Sequence, residues 1–515
     1  MTTLKRIGSK TLLYCLILVI ILPAIMVVNL VAQEKKKGQA FREHKDFKVP
    51  LLFPSQADLQ VLEAFAVLQK ANSGDANAQH ELGLRYLTGK GFASDTLKAA
   101  YWIKKSAEQG LPLAQYNYAI LLLNGYGVDW NPFDAFKYFS FASSHNIPEA
   151  LYMMGIMHIE NFVVPRNYKK AYQYLSKSAE LGFEPANYTL RKIKEYGLDI
   201  EEKIDTSKVT NSPNDTVFNL MFLDFDNDTS LAVNDSSLAG KVDELFKNVV
   251  KNQSSQSEKD LVGNYSMDSI APFLQQAANA GIPEALCLLG QCYEVGNFFH
   301  RDPVLACANY LRAFHLDSYK APMLISRLVG SEKFISELEV RASNKEPDAL
   351  YVLAGLNLTG FLKVLVESQS IELLEQCAKN GHIPSMLELG SYYFTGRWVN
   401  KDTNKTNELW SNAILNGSVE ARIRLAAANV LGQIHTMSLD TALALVREWA
   451  DKGSLLSALT LAYCYENGLN MRQDKGEAYR IYRGAFSRGS QSAYYAIRRM
   501  HDQIRPDSKE FKMTD

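Results

Sequence analysis

The sequence has little of what most enzymes and nucleic-acid binders display. Its six cysteines are few for 515 residues, and no C-x-x-C occurs. Cys15 lies in an apolar run near the N-terminus. Cys287, Cys292, Cys307, Cys377 and Cys464 form an odd, loosely spaced set. Such a set defines no disulfide framework and reads as buried free thiols, with Cys292 and Cys307 able to meet across a helix pair. An excess of either charge is also missing. There are 55 basic against 56 acidic residues, a net charge of −1, and so no electrostatic footprint for nucleic acid. Histidines stand singly (His80, His145, His158, His300, His315, His382, His435), none beside a Cys or carboxylate at ligand spacing. None of G-x-x-x-x-G-K-[ST], H-E-x-x-H, G-x-S-x-G or S-x-x-K is present. No catalytic, cofactor-binding or metal-binding residue is therefore assigned, and the expectation is a non-enzyme without a cofactor. A cell-wall or peptide hydrolase would need a Ser, His and carboxylate set, or a metal, assembled only by the fold.

One long uncharged run is present, residues 11–32, "TLLYCLILVIILPAIMVVNLVA". Its 22 residues suffice to span a bilayer with some tilt, and Pro23 is tolerable in a membrane helix. A cleaved signal peptide needs a shorter apolar core and small residues before the cut, where Leu30 stands instead. The run predicts an uncleaved single-span anchor after a basic tail (1–10) and before a linker (33–56). Lys5, Arg6 and Lys10 precede it; Lys35, Lys36, Lys37, Arg42, Lys45 and Lys48 follow. A count of basic residues puts the C-terminal side in the cytoplasm, whereas a short charged N-terminal tail favours the reverse.

Glycine is unevenly placed. Gly74 and Gly110 are 36 residues apart, and so are Gly381, Gly417, Gly453 and Gly489 in succession. Between the first two, "DANAQHELGLRYLTGKGFASDTLKAAYWIKKSAEQG" has the apolar spacing of two amphipathic helices around a turn. Residues 111–146 place Ala119 under Gly83, Gly125 under Gly89, Gly127 under Gly91 and Ala135 under Ala99; residues 147–182 place Gly155, Ala171, Ala179 and Gly182 likewise. The first helix carries a small residue (Gly83, Ala119, Gly155, Gly290, Gly390, Ala462) that lets another helix approach. A turn glycine follows (Gly89, Gly125, Gly296, Gly360, Gly396, Gly432, Gly468), where a left-handed backbone favours glycine. Asp95, Asp302, Asp402 and Asp474 stand where they cap the second helix. Such a pair buries its apolar faces only against stacked neighbours.

These units resemble Sel-one-like repeats, helix pairs related to tetratricopeptide repeats. The motif reads here as Ala78, Leu82, Gly83, Tyr86, Gly89, Gly91, Asp95, Lys98, Ala99, Trp102, Lys105, Ala107 and Gly110, with Ser106 where alanine is usual. Units at 282–317, 382–417 and 454–489 match less fully. The resemblance implies an all-α, right-handed α-solenoid of about 11–12 helix-turn-helix repeats, over 57–198 and 267–503, with a tail at 504–515. Ala99 and Ala107 are expected at close helix contacts, Trp102 between layers and Gly110 at the turn into the next unit. The resemblance further implies an adaptor or scaffold that holds one or more proteins or peptides in its groove, many relatives being in the bacterial envelope and some in endoplasmic-reticulum quality control. With residues 11–32 as anchor, the solenoid is expected outside the cytoplasm, in periplasm or lumen. A regulatory subunit that occludes an envelope enzyme or sensor is the alternative.

Departures from the period are readable as well. Asn161 replaces a turn glycine, and residues 318–345 lack about eight residues around the turn. Residues 57–74 read as the second helix of an earlier unit, and 490–503 as a lone terminal helix. Gly197, Ala278 and Gly281 fall in register on either side of an insertion of roughly 60 residues, within 199–266. This predicts one continuous solenoid with a long acidic, Asn-rich loop rather than two domains. Its apolar stretch Val217–Phe225 is expected to dock on the chain itself or fold on a partner. Asp224, Asp226 and Asp228 alternate as in calcium loops, but Thr229 and Asp235 replace the Gly and Glu such a loop needs. N-x-S/T triplets at Asn214, Asn227, Asn234 and Asn264 lie in the loop, while Asn187 and Asn357 fall in expected helices. The last unit is basic and aromatic (Arg472, Lys475, Arg480, Arg483, Arg488, Arg498, Arg499 with Tyr479, Tyr482, Tyr494, Tyr495). It reads as a polar terminal face, or alternatively as an anionic docking site.

Overall fold

The computed structural model describes residues 61–195, 267–296 and 299–513. Among the described residues the chain is all-helical, with 22 α-helices and no strand. Those within Met1–Asn161 and Arg166–Leu190 form one compact unit, and those within Phe162–Pro165 and Arg191–Asp515 a second. One continuous solenoid was the expectation. The change of unit at Leu190 and Arg191 comes just before the 199–266 insertion, which lies outside the described residues with Gly197, Val217–Phe225, Asp224, Asp226, Asp228 and the triplets at Asn214, Asn227, Asn234 and Asn264.

The first unit contains α1 (Val61–Asn72), α2 (Ala76–Thr88), α3 (Thr96–Glu108), α4 (Pro112–Asn124), α5 (Pro132–Ser144), α6 (Pro148–Glu160) and α7 (Tyr168–Glu180), followed by α8 (Glu184–Glu195). The second contains α9 (Met267–Asn279), α10 (Pro283–Val295), α11 (Pro303–His315), α12 (Ala321–Val329), α13 (Glu332–Ser343), α14 (Pro347–Thr359) and α15 (Glu367–Lys379). It continues through α16 (Ile383–Thr395), α17 (Thr403–Leu415), α18 (Val419–Val430), α19 (Leu439–Asp451), α20 (Leu455–Asn467), α21 (Lys475–Ser487) and α22 (Gln491–Ile504). From α1 to α7, and again from α9 to α22, each helix packs on its neighbours in sequence, first helix on second within a pair and second on the next first, which is solenoid packing.

The two helices of a pair are chemically different. First helices such as α4 and α14 are apolar all round and buried along nearly their whole length. Second helices such as α3 and α7 bury one stripe and expose the rest. Proline at the start of α4, α6, α10 and α14 costs no helix hydrogen bond there. Asp95, Asp302, Asp402 and Asp474 each accept a backbone N–H in the first turn of the following helix. Asn161 adopts the left-handed φ of 60° that glycine supplies elsewhere, and its side chain accepts the Arg166 N–H at 2.9 Å. The residues missing from 318–345 are shared between helix and turn. Helix α12 has 9 residues where α10 and α14 have 13, and only Gly330 and Ser331 join it to α13.

The single-pass membrane placement with an extracytoplasmic solenoid is corrected. Among the described residues no helix is long and apolar enough to cross a membrane. The repeat helices run from 9 to 14 residues, against about 20 for a span. Residues 11–32, with the 1–10 tail and the 33–56 linker, lie outside the described residues.

Candidate interaction surface

In four first helices the small residue is a glycine that forms a notch, and the second helix fills it twenty residues later. A Cβ on Gly155 would stand 2.6 Å from Leu175 Cγ, one on Gly290 2.7 Å from Tyr310 Cδ1, and one on Gly390 2.6 Å from Trp410 Cδ1. At Gly83 the filler is Ile103, fully buried, and not Trp102. Trp102 is half-buried and packs on the cluster of Ala71, Ala78 and Leu82, with the Lys105 ammonium 5.4 Å above its ring. Ala99 and Ala107 are buried on the same helix. The turn residues Gly89, Gly125, Gly296, Gly396 and Gly468 have φ between 67° and 90°, and the closing residues Gly110, Gly182, Gly417, Gly453 and Gly489 between 86° and 96°.

Ser106 is more than a substitute for alanine. Its Oγ donates to the Ala76 carbonyl at 2.6 Å, tying the end of α3 to the start of α2; Ser178 does the same to Pro148 at 2.7 Å. A second recurrent device uses a glutamate. Tyr310 Oη donates to Glu294 Oε2 at 2.7 Å, and Arg327 of the next repeat donates to the same oxygen at 2.7 Å. Tyr482, Glu466 and Arg499 repeat the arrangement at 3.0 and 2.6 Å. Neither device was assigned from sequence, although the two Glu-Tyr-Arg sets share one spacing and could have been found by it.

In the second unit, charged residues far apart in sequence meet. Glu420, at the start of α18, accepts from Arg312 of α11 at 2.6 Å and from Arg424 at 2.7 and 2.9 Å. Burial alone would raise the Glu420 pKa; the Arg424 and Arg312 guanidiniums outweigh it and hold the carboxyl below its ordinary value. Glu388, also buried, lies 3.0 Å from His315 Nε2, and His315 leads the charges that hold it low against burial. Arg488 donates twice to Glu284 at 2.9 Å, across 204 residues. Asp317 occupies the closing-glycine position with φ of 70°. It accepts from Ser490 Oγ and, at 3.0 Å, from the Ser492 N–H, capping α22 from the other end of the unit. Burial is the leading cause of its raised pKa. Of the basic terminal cluster, Arg480, Arg488 and Arg499 thus face Glu477, Glu284 and Glu466, so their charge is neutralised within the fold.

The cysteines Cys287, Cys292, Cys307, Cys377 and Cys464 are free and buried, and burial raises their thiol pKa, to about 11 for Cys292. Among the described residues no group of three or more His, Cys, Asp or Glu is arranged to hold a metal ion. Asn187 and Asn357 lie in α8 and α14, and Asn357 is spent on hydrogen bonds to Ser370 and the Val364 and Leu365 N–H groups.

One open cleft, of about 640 Å³, runs between the second helices α15 and α17 over α16. Met386, Leu389 and Leu409 give it an apolar floor, and Leu415 stands at its rim, 83% exposed. Tyr393 Oη donates to Glu375 at 3.1 Å and accepts from Lys405 at 3.2 Å, placing both charges along the wall. The hydrogen bond to Tyr393 is the leading cause of the raised Lys405 pKa.

Stacked helix pairs with notch, filler and closing glycine define a helical-repeat protein. A family model described as Sel1 repeat matches residues 76–111, 112–146, 148–183, 283–318, 347–382, 383–418 and 457–490, seven of the helix pairs seen here. The chain is a Sel1-like repeat protein. It is similar to the chitin synthase regulator SKT5 of Saccharomyces cerevisiae, with 29% identity over 184 residues, 34% of this chain and 26% of that protein. The chain thus spans about a quarter of that relative's length. Among solved structures, a protective antigen of uropathogenic Escherichia coli with an SLR fold aligns at 19% identity and a TM-score of 0.30, over 87% of this chain and 92% of its own. A Sel1 repeat protein from Oxalobacter formigenes aligns at 31% identity and a TM-score of 0.24, over 25% of this chain and 97% of its own.

Proposed function

We propose that the chain is a protein-interaction scaffold and that the α15–α17 cleft is one of its partner-binding surfaces. Proteins built of Sel1 repeats act as protein-interaction scaffolds. The observation that carries the assignment to this cleft is its lining: an apolar floor under Leu415, edged by the opposed charges of Glu375 and Lys405. That lining suits an amphipathic peptide segment, whose apolar face covers Leu389 and Leu409 while its charged edges meet the wall. The partner is expected in the cleft rather than where α11 meets α18, a place already filled by Glu420, Arg312 and Arg424.

The test is site-directed photocrosslinking from position 415 in the native cell, with position 467, exposed at the end of α20, as reference. One reproducible protein adduct from 415, lost on Leu389→Glu, supports the reading; equal adducts from both positions overturn it. A second reading is favoured by the similarity to a chitin synthase regulator: the bound partner is a polysaccharide-synthesising enzyme whose activity changes on binding. Recovery of such an enzyme in the 415 adduct, with altered activity in the Leu389→Glu strain, distinguishes regulation from passive scaffolding.

A further inference from the structure

The outward faces of α3, α5 and α7 in the first unit combine exposed rings with an excess of lysine. Tyr101 and Lys105 lie one turn apart on α3. On α5, 36 residues later in the repeat, Lys137 and Phe141 occupy the same two positions with the chemistry exchanged. On α7 the positions are Gln173 and Lys177, with Tyr172 beside them. Tyr101, Phe141 and Tyr172 are 51%, 54% and 42% exposed, and Leu97 beside Tyr101 is 71% exposed. A repeat protein that used these faces only for solubility would carry polar residues there.

The charge is as one-sided as the rings are exposed. Helices α3, α5 and α7 together hold seven lysines against three acids, in a chain whose net charge is −1. Lys98, Lys104 and Lys137 face Asp95, Glu108 and Asp134. Lys105 lies 4.7 Å over the Tyr101 ring, so its ammonium and that ring already form one cationic, apolar spot. Lys169, Lys170 and Lys177 stand exposed on α7. The first helices α2, α4 and α6 are buried along most of their length, which leaves the second-helix faces as what these repeats present.

We propose that this face docks an acidic segment of a partner protein, with apolar side chains over Tyr101, Phe141 and Leu97 and carboxylates at Lys105, Lys137 and Lys177. Charge complementarity selects an acidic occupant, and the exposed rings and Leu97 select one that also has apolar side chains. This surface is separate from the α15–α17 cleft and stands or falls without it.

The test is fluorescence anisotropy of the full chain with a labelled synthetic peptide in which Glu and Asp alternate with Leu and Phe. The expected result is salt-sensitive binding that weakens about tenfold or more in Lys105→Glu with Lys177→Glu, and comparably in Tyr101→Ser with Phe141→Ser. Leu415→Ser, in the other cleft, is expected to leave it unchanged. Circular dichroism and the thermal midpoint verify that these exposed substitutions preserve the fold; the milder Lys105→Gln with Lys177→Gln serves if they do not. Equal binding by parent and all the face variants overturns the proposal, as does equal binding of a peptide with Lys in place of the acids. An all-Glu peptide that binds as tightly removes the rings from the argument and overturns it too. Tighter binding of single-stranded oligonucleotide, or of anionic vesicles, than of the peptide overturns the choice of a protein partner.

Discussion

Gly390 and Trp410 fit as notch and knob: a Cβ on the glycine would stand 2.6 Å from Trp410 Cδ1, and the indole N–H is already fixed on the Leu387 carbonyl at 3.2 Å. Neither partner can move aside without losing a buried hydrogen bond. Alanine gains about 1 kcal/mol over glycine from helix propensity alone, so the collision must exceed that to be seen. Gly390→Ala is expected to cost about 1–2 kcal/mol net, measured by urea denaturation, and Trp410→Leu in the same chain is expected to relieve the collision. A neutral or stabilising Gly390→Ala would show that the indole has room to shift.

Glu420 is nearly fully buried between Arg312 and Arg424. Glu420→Gln leaves two guanidiniums facing no carboxylate and is expected to cost about 3–5 kcal/mol. Replacing all three by apolar residues of similar volume is expected to cost less than the single change. If the single change is the milder of the two, the pair is not desolvated as described.

Acid is expected to weaken the second unit in one direction only. Burial works to raise Glu420, Glu388 and Glu284, but Arg424, His315 and Arg488 respectively lead the charges that hold each below its ordinary value. Their contribution is complete above the unfolded glutamate pKa of about 4.3 and is lost as pH falls through the lower native values. The urea midpoint followed from pH 6 to pH 3 measures this. Glu284→Gln is expected to flatten the loss in that range.

His80 acts at higher pH. Burial depresses its pKa to about 4, and Asn117 Nδ2 lies 2.8 Å from its Nε2. The unfolded chain takes up this proton below about 6.5 and the native chain only below about 4, so stability falls as pH drops across that interval, by up to about 3 kcal/mol. His501, also held at about 4 by burial, adds a loss of the same sign. His80→Gln is expected to remove about half of the pH dependence of the thermal midpoint between those limits, and an unchanged slope would place the titrating group elsewhere.

Ser106→Ala removes the bond to the Ala76 carbonyl and is expected to cost about 1 kcal/mol, measured by the thermal midpoint. The next repeat carries Ala142 at this position, buried without a comparable bond. Alanine therefore fits the site sterically, and a much larger loss would mean that the serine carries more than one bond.

Much of the fold was legible because it is local. Turn and closing glycines have positive φ, and Asp95, Asp302, Asp402 and Asp474 accept first-turn N–H groups, since these depend on a few residues of backbone. The filler of the Gly83 notch could not be named from sequence, because Trp102 and Ile103 are adjacent and only helix rotation decides which of the two faces inward. The cross-repeat pairs Arg312 with Glu420 and Arg488 with Glu284 had no sequence signal, since an arginine's spacing does not say which carboxylate it will meet. The open cleft between α15 and α17 was equally illegible, being defined by three helices at once.

By itself, then, the sequence determined the repeat: helix lengths, caps, turns and the small residues that let each pair close. These follow from backbone preference and side-chain volume within some forty residues of chain. The tertiary structure alone decided how the described helices divide into two units, which charges neutralise each other, and which faces stay open. Those depend on small rotations between successive repeats, which add up over many units and which no single repeat encodes. The rings and lysines of α3 and α5 could be read as ordinary helix surface; which of them stay exposed is decided by the stack.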